Sequence, residues 1–329
     1  MARKSKKGIL AEVASIFFNG VKLYFLNFEK FFKYMSFPIL GQIVGITLIF
    51  SASFVFTLHV SELTTKSPVF DNIPLVFFIL ALLTLPGFFI FCKAFWEYLI
   101  AIPALSSMAS TLLEGGKLDD LGIHAELIKR RTLSYILFLF ILSVIYSLFS
   151  FPLLWGLLVI VFVFLALSYQ VFALEEEKNA IEAIISAINY VKFNFKKTFL
   201  LLCLLLIFTY WLVPGLICWA FETGNLIGFF SYPVEQYIKL LPLNEVNELL
   251  AIHNIPFELK SYEIAKHIVL SSVFGVVVAY TLPLRSICCT QLYKDIHNAN
   301  YAGKIAADKL VQRAQTGSKQ KKKSSEEDE

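Results

Sequence analysis

The chain has 329 residues, 57% of them hydrophobic and 16% charged, with a mean hydropathy of +0.68. Soluble domains carry roughly 45–50% apolar and about 25% charged residues, so an ordinary soluble domain is excluded and a membrane protein is indicated. The net charge is only +4, yet Lys and Arg cluster at Arg3, Lys4, Lys6 and Lys7, at Lys129-Arg130-Arg131, at Lys192 with Lys196-Lys197, and between Lys319 and Lys323. In so apolar a chain these clusters point to membrane topology and anionic lipid headgroups rather than to nucleic acid.

In chain order, residues 1–8 form a basic tail with no signal peptide behind it. Ala11 to Tyr34 reads as an amphipathic helix, with Val13, Ile16, Phe17, Val21 and Phe25 near one face. A spanning helix needs about 20 mostly apolar residues. The first span is expected over Phe37–His59, and the second, after an outer loop at 60–72, over Ile73–Phe91.

Residues 94–112 are apolar enough for a further span, but Lys93, Glu97 and Pro103 interrupt them. Counting them as a span places Lys129-Arg130-Arg131 opposite the basic N-terminus. The positive-inside rule therefore favours their continuing the second helix as an interfacial or cytoplasm-facing extension. Glu114-Gly115-Gly116-Lys117 reads as a turn, not a phosphate loop, because no strand precedes it, and Leu118-Asp119-Asp120 reads as a helix cap.

Spans three and four, Thr132–Phe149 and Leu154–Phe172, form a hairpin through Phe151-Pro152. Asn179 to Phe195 is a second amphipathic helix, carrying Ile181, Ile184, Ile185, Ile188 and Val191. It leads into span five, Phe199–Ala220. An acidic, turn-rich segment at 221–263 reads as an outer cap with helices over Val234–Leu241 and Leu243–Ile252. Span six is Ile268–Cys288, with Ser271, Ser272 and Gly275 as small residues for close helix approach, and 300–329 reads as a charged, disordered tail.

Two motifs recur. Glu12, Asn19, Val21, Lys22 and Phe25 return at Glu182, Asn189, Val191, Lys192 and Phe195. Thr84-Leu85-Pro86 with Ile90 and Cys92 returns at Thr281-Leu282-Pro283 with Ile287 and Cys289. The fold class expected is all-α: a polytopic bundle of six transmembrane helices plus interfacial amphipathic helices, built from a parallel internal repeat. The first copy is 9–112 and the second 178–299, with 113–177 (a cytoplasmic helix and the central hairpin) between them. An even number of spans separates the copies, so they share orientation.

Chemistry-bearing patterns are sparse. No nucleophile elbow, zinc-protease helix, P-loop or dinucleotide fingerprint occurs, and His59, His124, His253, His267 and His297 are scattered. The five cysteines have no zinc spacing and read as packing residues. No catalytic, cofactor-binding or metal residue is assigned. Pro86 and Pro283 each remove a donor and clash with a carbonyl, so they mark candidate kinks. With Arg285, Lys93 and Glu97 at the inner ends of the spans, they are the candidate hinge or pathway residues. Lys22, Lys192, Lys196 and Lys197 are the candidate lipid-headgroup contacts.

The amphipathic run Ala180 to Lys192, with Thr281-Leu282-Pro283 and the ending Thr290-Gln291-Leu292-Tyr293-Lys294-Asp295, resembles bacterial YciC-like and glycerophosphodiester phosphodiesterase membrane-domain proteins. The resemblance lies mainly in the second half. It implies a multi-span membrane protein with a Tyr-x-Asp closing helix, and the phosphodiesterase barrel of some members is absent, so it implies no catalysis. The expected function is a non-enzymatic, lipid-facing scaffold or accessory protein of the bacterial inner membrane, both termini cytoplasmic. Its expected partners are membrane lipids with anionic headgroups and a membrane protein. The alternative is a small-molecule transporter or channel with its pathway between the repeats.

Overall fold

A computed structural model of the chain describes residues 8–66 and 72–300, with side chains placed for all of these except 61–66. The basic tail before Gly8, residues 67–71 of the loop expected at 60–72 and the charged tail beyond Asn300 lie outside the described residues; the expected loop is helical as far as residue 66. Every regular element among the described residues is helical.

The helices are α1 (Ile9–Leu26), α2 (Phe28–Lys66), α3 (Ile73–Leu113), α4 (Leu121–Lys129), α5 (Thr132–Phe149), α6 (Trp155–Phe164), α7 (Ser168–Leu174) and α8 (Ala180–Lys192). There follow α9 (Phe195–Leu206), a π-helical segment (Ile207–Leu212), α10 (Val213–Thr223), α11 (Leu226–Ile238), α12 (Leu243–Ile252), α13 (Ser261–Tyr280) and α14, residues 282–300.

The protein is a polytopic membrane bundle. Among the described residues, seven helical stretches are long and apolar enough to cross a bilayer, including α1 (Ile9–Leu26). Residues 94–112 are not a separate span but the second half of α3, whose 41 residues run unbroken through Pro86 and Pro103. At 1.5 Å per residue α3 is about 60 Å long, twice a hydrocarbon core.

Burial divides α3 in two. Up to Lys93 only Gly87 is buried; beyond it Ala94, Ile100, Ala101, Ala104, Leu105, Met108, Ala109 and Leu112 are. The closing pair repeats this division. In α13 only Ala265 and Val269 are buried, whereas Leu282, Leu284, Ile287, Cys288, Cys289, Leu292, Tyr293 and Ile296 of α14 join the core. The packed core therefore lies at the end of the bundle carrying Gly8 and Asn300. The shafts of α2, α3, α5, α6 and α13 expose apolar side chains such as Phe50, Phe77, Phe140, Val159 and Phe274, as lipid contact requires.

α2 and α3 pack most closely where side chains are absent. A Cβ on Gly45 falls 2.6 Å from the Phe91 nitrogen, one on Gly87 2.8 Å from the Gly45 oxygen, and one on Gly41 2.7 Å from Ala94 Cβ. Gly41-x-x-x-Gly45 is thus the small-residue seam of the bundle. Gly275, expected to serve this way, has nothing within 4 Å of an added Cβ, and Ser271 and Ser272 are exposed. Small residues permit a close crossing only where a second helix arrives.

The expected amphipathic helices form, with different inward faces. α1 buries Val13, Ile16, Phe17, Gly20 and Tyr24, and Phe25 is exposed. It runs antiparallel to α14: Gly20 meets Cys288, and the Tyr24 hydroxyl donates to the Tyr280 carbonyl at 3.0 Å. α8 buries Ala180, Ala183, Ile184, Ala187 and Val191, and turns Ile181 and Ile185 outward. Close packing selects the alanines because they let the backbone of α8 approach its neighbours.

Three of the expected spans are interrupted, the sixth at Thr281 between α13 and α14. Span four breaks at 165–167, where Leu165 and Leu167 are buried between α6 and α7. Span five contains the π-helical segment Ile207–Leu212 just before Pro214. The Pro214 ring would clash with the Tyr210 carbonyl four residues back, and the wider turn relieves that clash. The segment expected to be a cap forms α11 and α12; α12 matches the expected Leu243–Ile252, whereas α11 starts at Leu226 rather than Val234 and runs through Pro233 to Ile238, with Asn225 in a left-handed conformation (φ 55°) at the turn before it. The turn after α3 uses Gly115 at φ 81°, and the Asp120 carboxylate accepts from the Gly122 amide at 2.8 Å to cap α4.

Candidate functional site

Polar groups gather around the packed core at the end carrying Gly8 and Asn300. Tyr293, Lys294 and Asp295, successive on α14, project in three directions and reach three other parts of the chain. The Tyr293 hydroxyl donates to Glu175 at 2.8 Å. Lys294 pairs with Glu114 at 2.6 Å and donates to the Ser110 carbonyl at 2.9 Å, at the C-terminus of α3 where a cation is favoured. Asp295 lies 3.7 Å from Lys197 of α9, which also pairs with Glu12 of α1 at 3.2 Å.

Glu175 is the hub of this latch. It accepts from Tyr293 and from Tyr190 at 3.0 Å and pairs with Lys178 at 2.6 Å. Burial pushes its carboxyl upward, but the hydrogen bonds from Lys178, Tyr293 and Tyr190 outweigh burial and hold it below the usual range. Burial, with the Glu175 charge beside it, pushes the Tyr190 hydroxyl up to about 12. The Glu114 carboxyl is lowered by its hydrogen bond and charge pairing with Lys294.

Arg131 performs a similar joining role. It donates to the Phe172 carbonyl at 2.9 Å and to the Lys178 carbonyl, and its guanidinium lies 4.4 Å from the centre of the Phe172 ring. The C-terminus of α7 and the turn into α8 are thereby tied to the start of α5.

Among the described residues two open clefts are present, one at the latch and one elsewhere between α2 and α3. One, of ≈ 380 Å³, is lined by Glu12, Ser15, Ile16, Lys197, Gln291, Asp295 and Asn298. The other, of ≈ 280 Å³, is lined by Tyr34, Phe37, Pro38, Lys93 and Glu97. In the second, the Lys93 ammonium sits 5.7 Å from the Phe37 ring centre, and Glu97 pairs with Lys129 at 2.8 Å. Lys93 and Glu97 thus share a cleft as their spacing implied, but Glu97 is tied to Lys129 of α4.

The remaining candidates separate. Pro86 is exposed on the apolar shaft of α3, while Pro283 is buried beside the helix break at Thr281. Lys22, Lys192 and Lys196 are exposed on α1, α8 and α9, whereas Lys197, 16% exposed, is held between two carboxylates. The duplicated acidic residues differ likewise. Glu182 closes a capping box with Asn179, while Glu12 pairs with Lys197.

Arg285 lies on α14 beside the π-helical segment. It donates to the Tyr210 hydroxyl and, at 3.1 Å, to the Val278 carbonyl, and lies 4.8 Å from the Tyr210 ring centre. Tyr210 and the π-helical turn were not anticipated from the sequence; Pro214-Gly215 inside an apolar run is the signal that marks them. The cysteines are all free, and no group of three metal-ligating side chains forms among the described residues. Comparison with protein-family models, curated proteins and solved structures finds no match.

Proposed function

We propose that the protein is a non-enzymatic, lipid-facing scaffold or accessory protein of a bacterial inner membrane. In this reading it has six crossings, both termini are cytoplasmic, and α1 and α8 lie at the headgroup boundary. One observation carries it. The outer faces of α1 and α8 mix exposed apolar side chains with exposed lysines: Phe18 (69%), Lys22 and Leu26 on α1, and Ile181 (55%), Ile185 and Lys192 on α8. Such faces suit the boundary between acyl chains and anionic phosphates.

The internal repeat belongs to the same proposal. Each half runs through a short amphipathic helix, a span and a returning helix with a buried extension. Val13 and Phe17 are buried like their counterparts Ala183 and Ala187. The transporter alternative requires Pro86 and Pro283 to line one passage. The exposure of one and burial of the other favour the scaffold.

The test is native mass spectrometry of the full chain released from bilayers mixing phosphatidylglycerol with phosphatidylcholine. Retained lipid should be enriched in phosphatidylglycerol, and combined Lys22→Gln, Lys192→Gln and Lys196→Gln substitutions should remove most of the enrichment. Retained lipid that mirrors the bilayer composition in the unaltered chain defeats the proposal.

A further inference from the structure

We propose that Arg285, with Tyr210 and Tyr98, forms a discrete site for one phosphate group, supplied by the headgroup of an anionic lipid. The proposal rests on the lipid-facing reading above and adds a defined, stoichiometric site to it.

The guanidinium has unmet demand. Among the described residues no carboxylate pairs with it, although most other cations at this end of the bundle with a described partner are matched to Glu or Asp. Arg131 also lacks one, but two carbonyls and an aromatic face satisfy it. Arg285 has five donors, of which the Tyr210 hydroxyl and the Val278 carbonyl take one on each Nη; Nε is buried without an acceptor, and the second N–H on each Nη, which has no acceptor among the described residues, is the donor left for an incoming oxyanion. A half-buried cation with an unpartnered donor is costly next to hydrocarbon, and an oxyanion is the group that relieves that cost.

The surroundings fit a phosphate. Because the Tyr210 hydroxyl accepts from Arg285, its own proton is free to donate onward. The Tyr98 hydroxyl of α3 lies within electrostatic range of both groups, and neither tyrosine donates to a protein acceptor among the described residues. A planar guanidinium fork beside the Tyr210 hydroxyl matches a tetrahedral oxyanion better than a single cation does. The three groups come from α3, the π-helical turn and α14, so the site joins both halves of the chain. The wide turn before Pro214 positions Tyr210 in it.

Depth agrees. From Ile268, where the polar start of α13 ends, to Arg285 is about 26 Å of helix, close to the hydrocarbon thickness of about 30 Å. The Arg285 backbone therefore lies just inside the hydrocarbon edge at that end, and its long side chain can reach the phosphates beyond it.

The full chain is reconstituted in nanodiscs, and tightly held phosphatidylglycerol is counted by native mass spectrometry after washing with excess phosphatidylcholine. Arg285→Gln should lose one retained phosphatidylglycerol per chain. Tyr98→Phe, which removes a single hydroxyl and keeps the packing, should exchange it at least about tenfold faster. The Lys22, Lys192 and Lys196 triple variant should lose diffuse enrichment yet keep the single lipid, so failure of the scaffold reading and of this site are read separately. In delipidated protein in neutral detergent, inorganic phosphate is titrated by phosphorus-31 line broadening. Arg285-dependent broadening without a retained lipid would support the phosphate site and assign it to free phosphate. An Arg285→Gln protein that keeps its lipid count and gives the same broadening as the unaltered chain overturns the proposal.

Discussion

Replacing Gly45 with alanine adds one carbon atom where α2 crosses α3. That atom lands 2.6 Å from the Phe91 nitrogen, 2.7 Å from Phe91 Cβ and 2.8 Å from the Gly87 oxygen. None of these is the end of a flexible side chain, so no rotamer change relieves the overlap. The helices must separate by about 1 Å to restore ordinary carbon contacts, and a gap of that size forfeits up to about half of each neighbouring contact along the seam. Overpacking of this kind costs about 1–3 kcal/mol, against which better helix propensity returns only about 0.5–1 kcal/mol. Unfolding of the purified chain in mild detergent, by sodium dodecyl sulfate titration followed by circular dichroism, should show the loss. Gly275→Ala, with nothing within 4 Å of the added carbon, is the matched control and should be no less stable than the unaltered chain. If Gly45→Ala is as stable as Gly275→Ala, the close crossing does not hold the hairpin together.

Two further outcomes follow from the polar latches. Arg131→Gln should lose about 2–3 kcal/mol in the same titration, because two carbonyls lose a charged donor, and Arg131→Lys should recover less than half, since an ammonium cannot bridge both; full recovery by lysine would refute the two-carbonyl role. Glu175 has a carboxyl lowered in the fold, so its contribution is fully present above its ordinary value of 4.5 and is lost as pH falls through the lower folded value. Melting temperature measured from pH 7 to pH 3 should therefore fall less steeply at the acid end in Glu175→Gln, and identical acid limbs would show that the hub does not titrate with folding.

Composition and run length alone marked out a multi-span all-α membrane protein. An 18–20-residue apolar stretch has few other stable states, because in lipid a helix satisfies its own backbone. The helical continuation of α3 through 94–112, the helix Leu243–Ile252 and the Asp120 cap were legible from the sequence, whereas α11 begins eight residues before the expected Val234. Tertiary packing decided which faces turn inward. Both Gly41-x-x-x-Gly45 and the Ser271-Ser272-Gly275 group carry small residues at helical spacing, yet only the first meets a partner. In α8 the isoleucines are the stronger hydrophobic signal, but Ile181 and Ile185 face outward while Ala180, Ala183 and Ala187 are buried with Ile184 and Val191, since the alanines allow a close backbone approach.

The latch was half-visible. The Tyr-x-Asp ending stood out in the sequence, but Glu175, Glu114 and Lys197, the partners of Tyr293, Lys294 and Asp295, lie 98 to 180 positions away and no local pattern connects them. Arg285 drew notice as a charge near a membrane boundary, whereas its tyrosines did not, because their contribution depends on a π-helical turn and on three elements from both halves converging. Periodicity reports what a helix can bury. Which neighbour it buries against, and which charge is left without a counter-ion, is settled only when the helices are assembled.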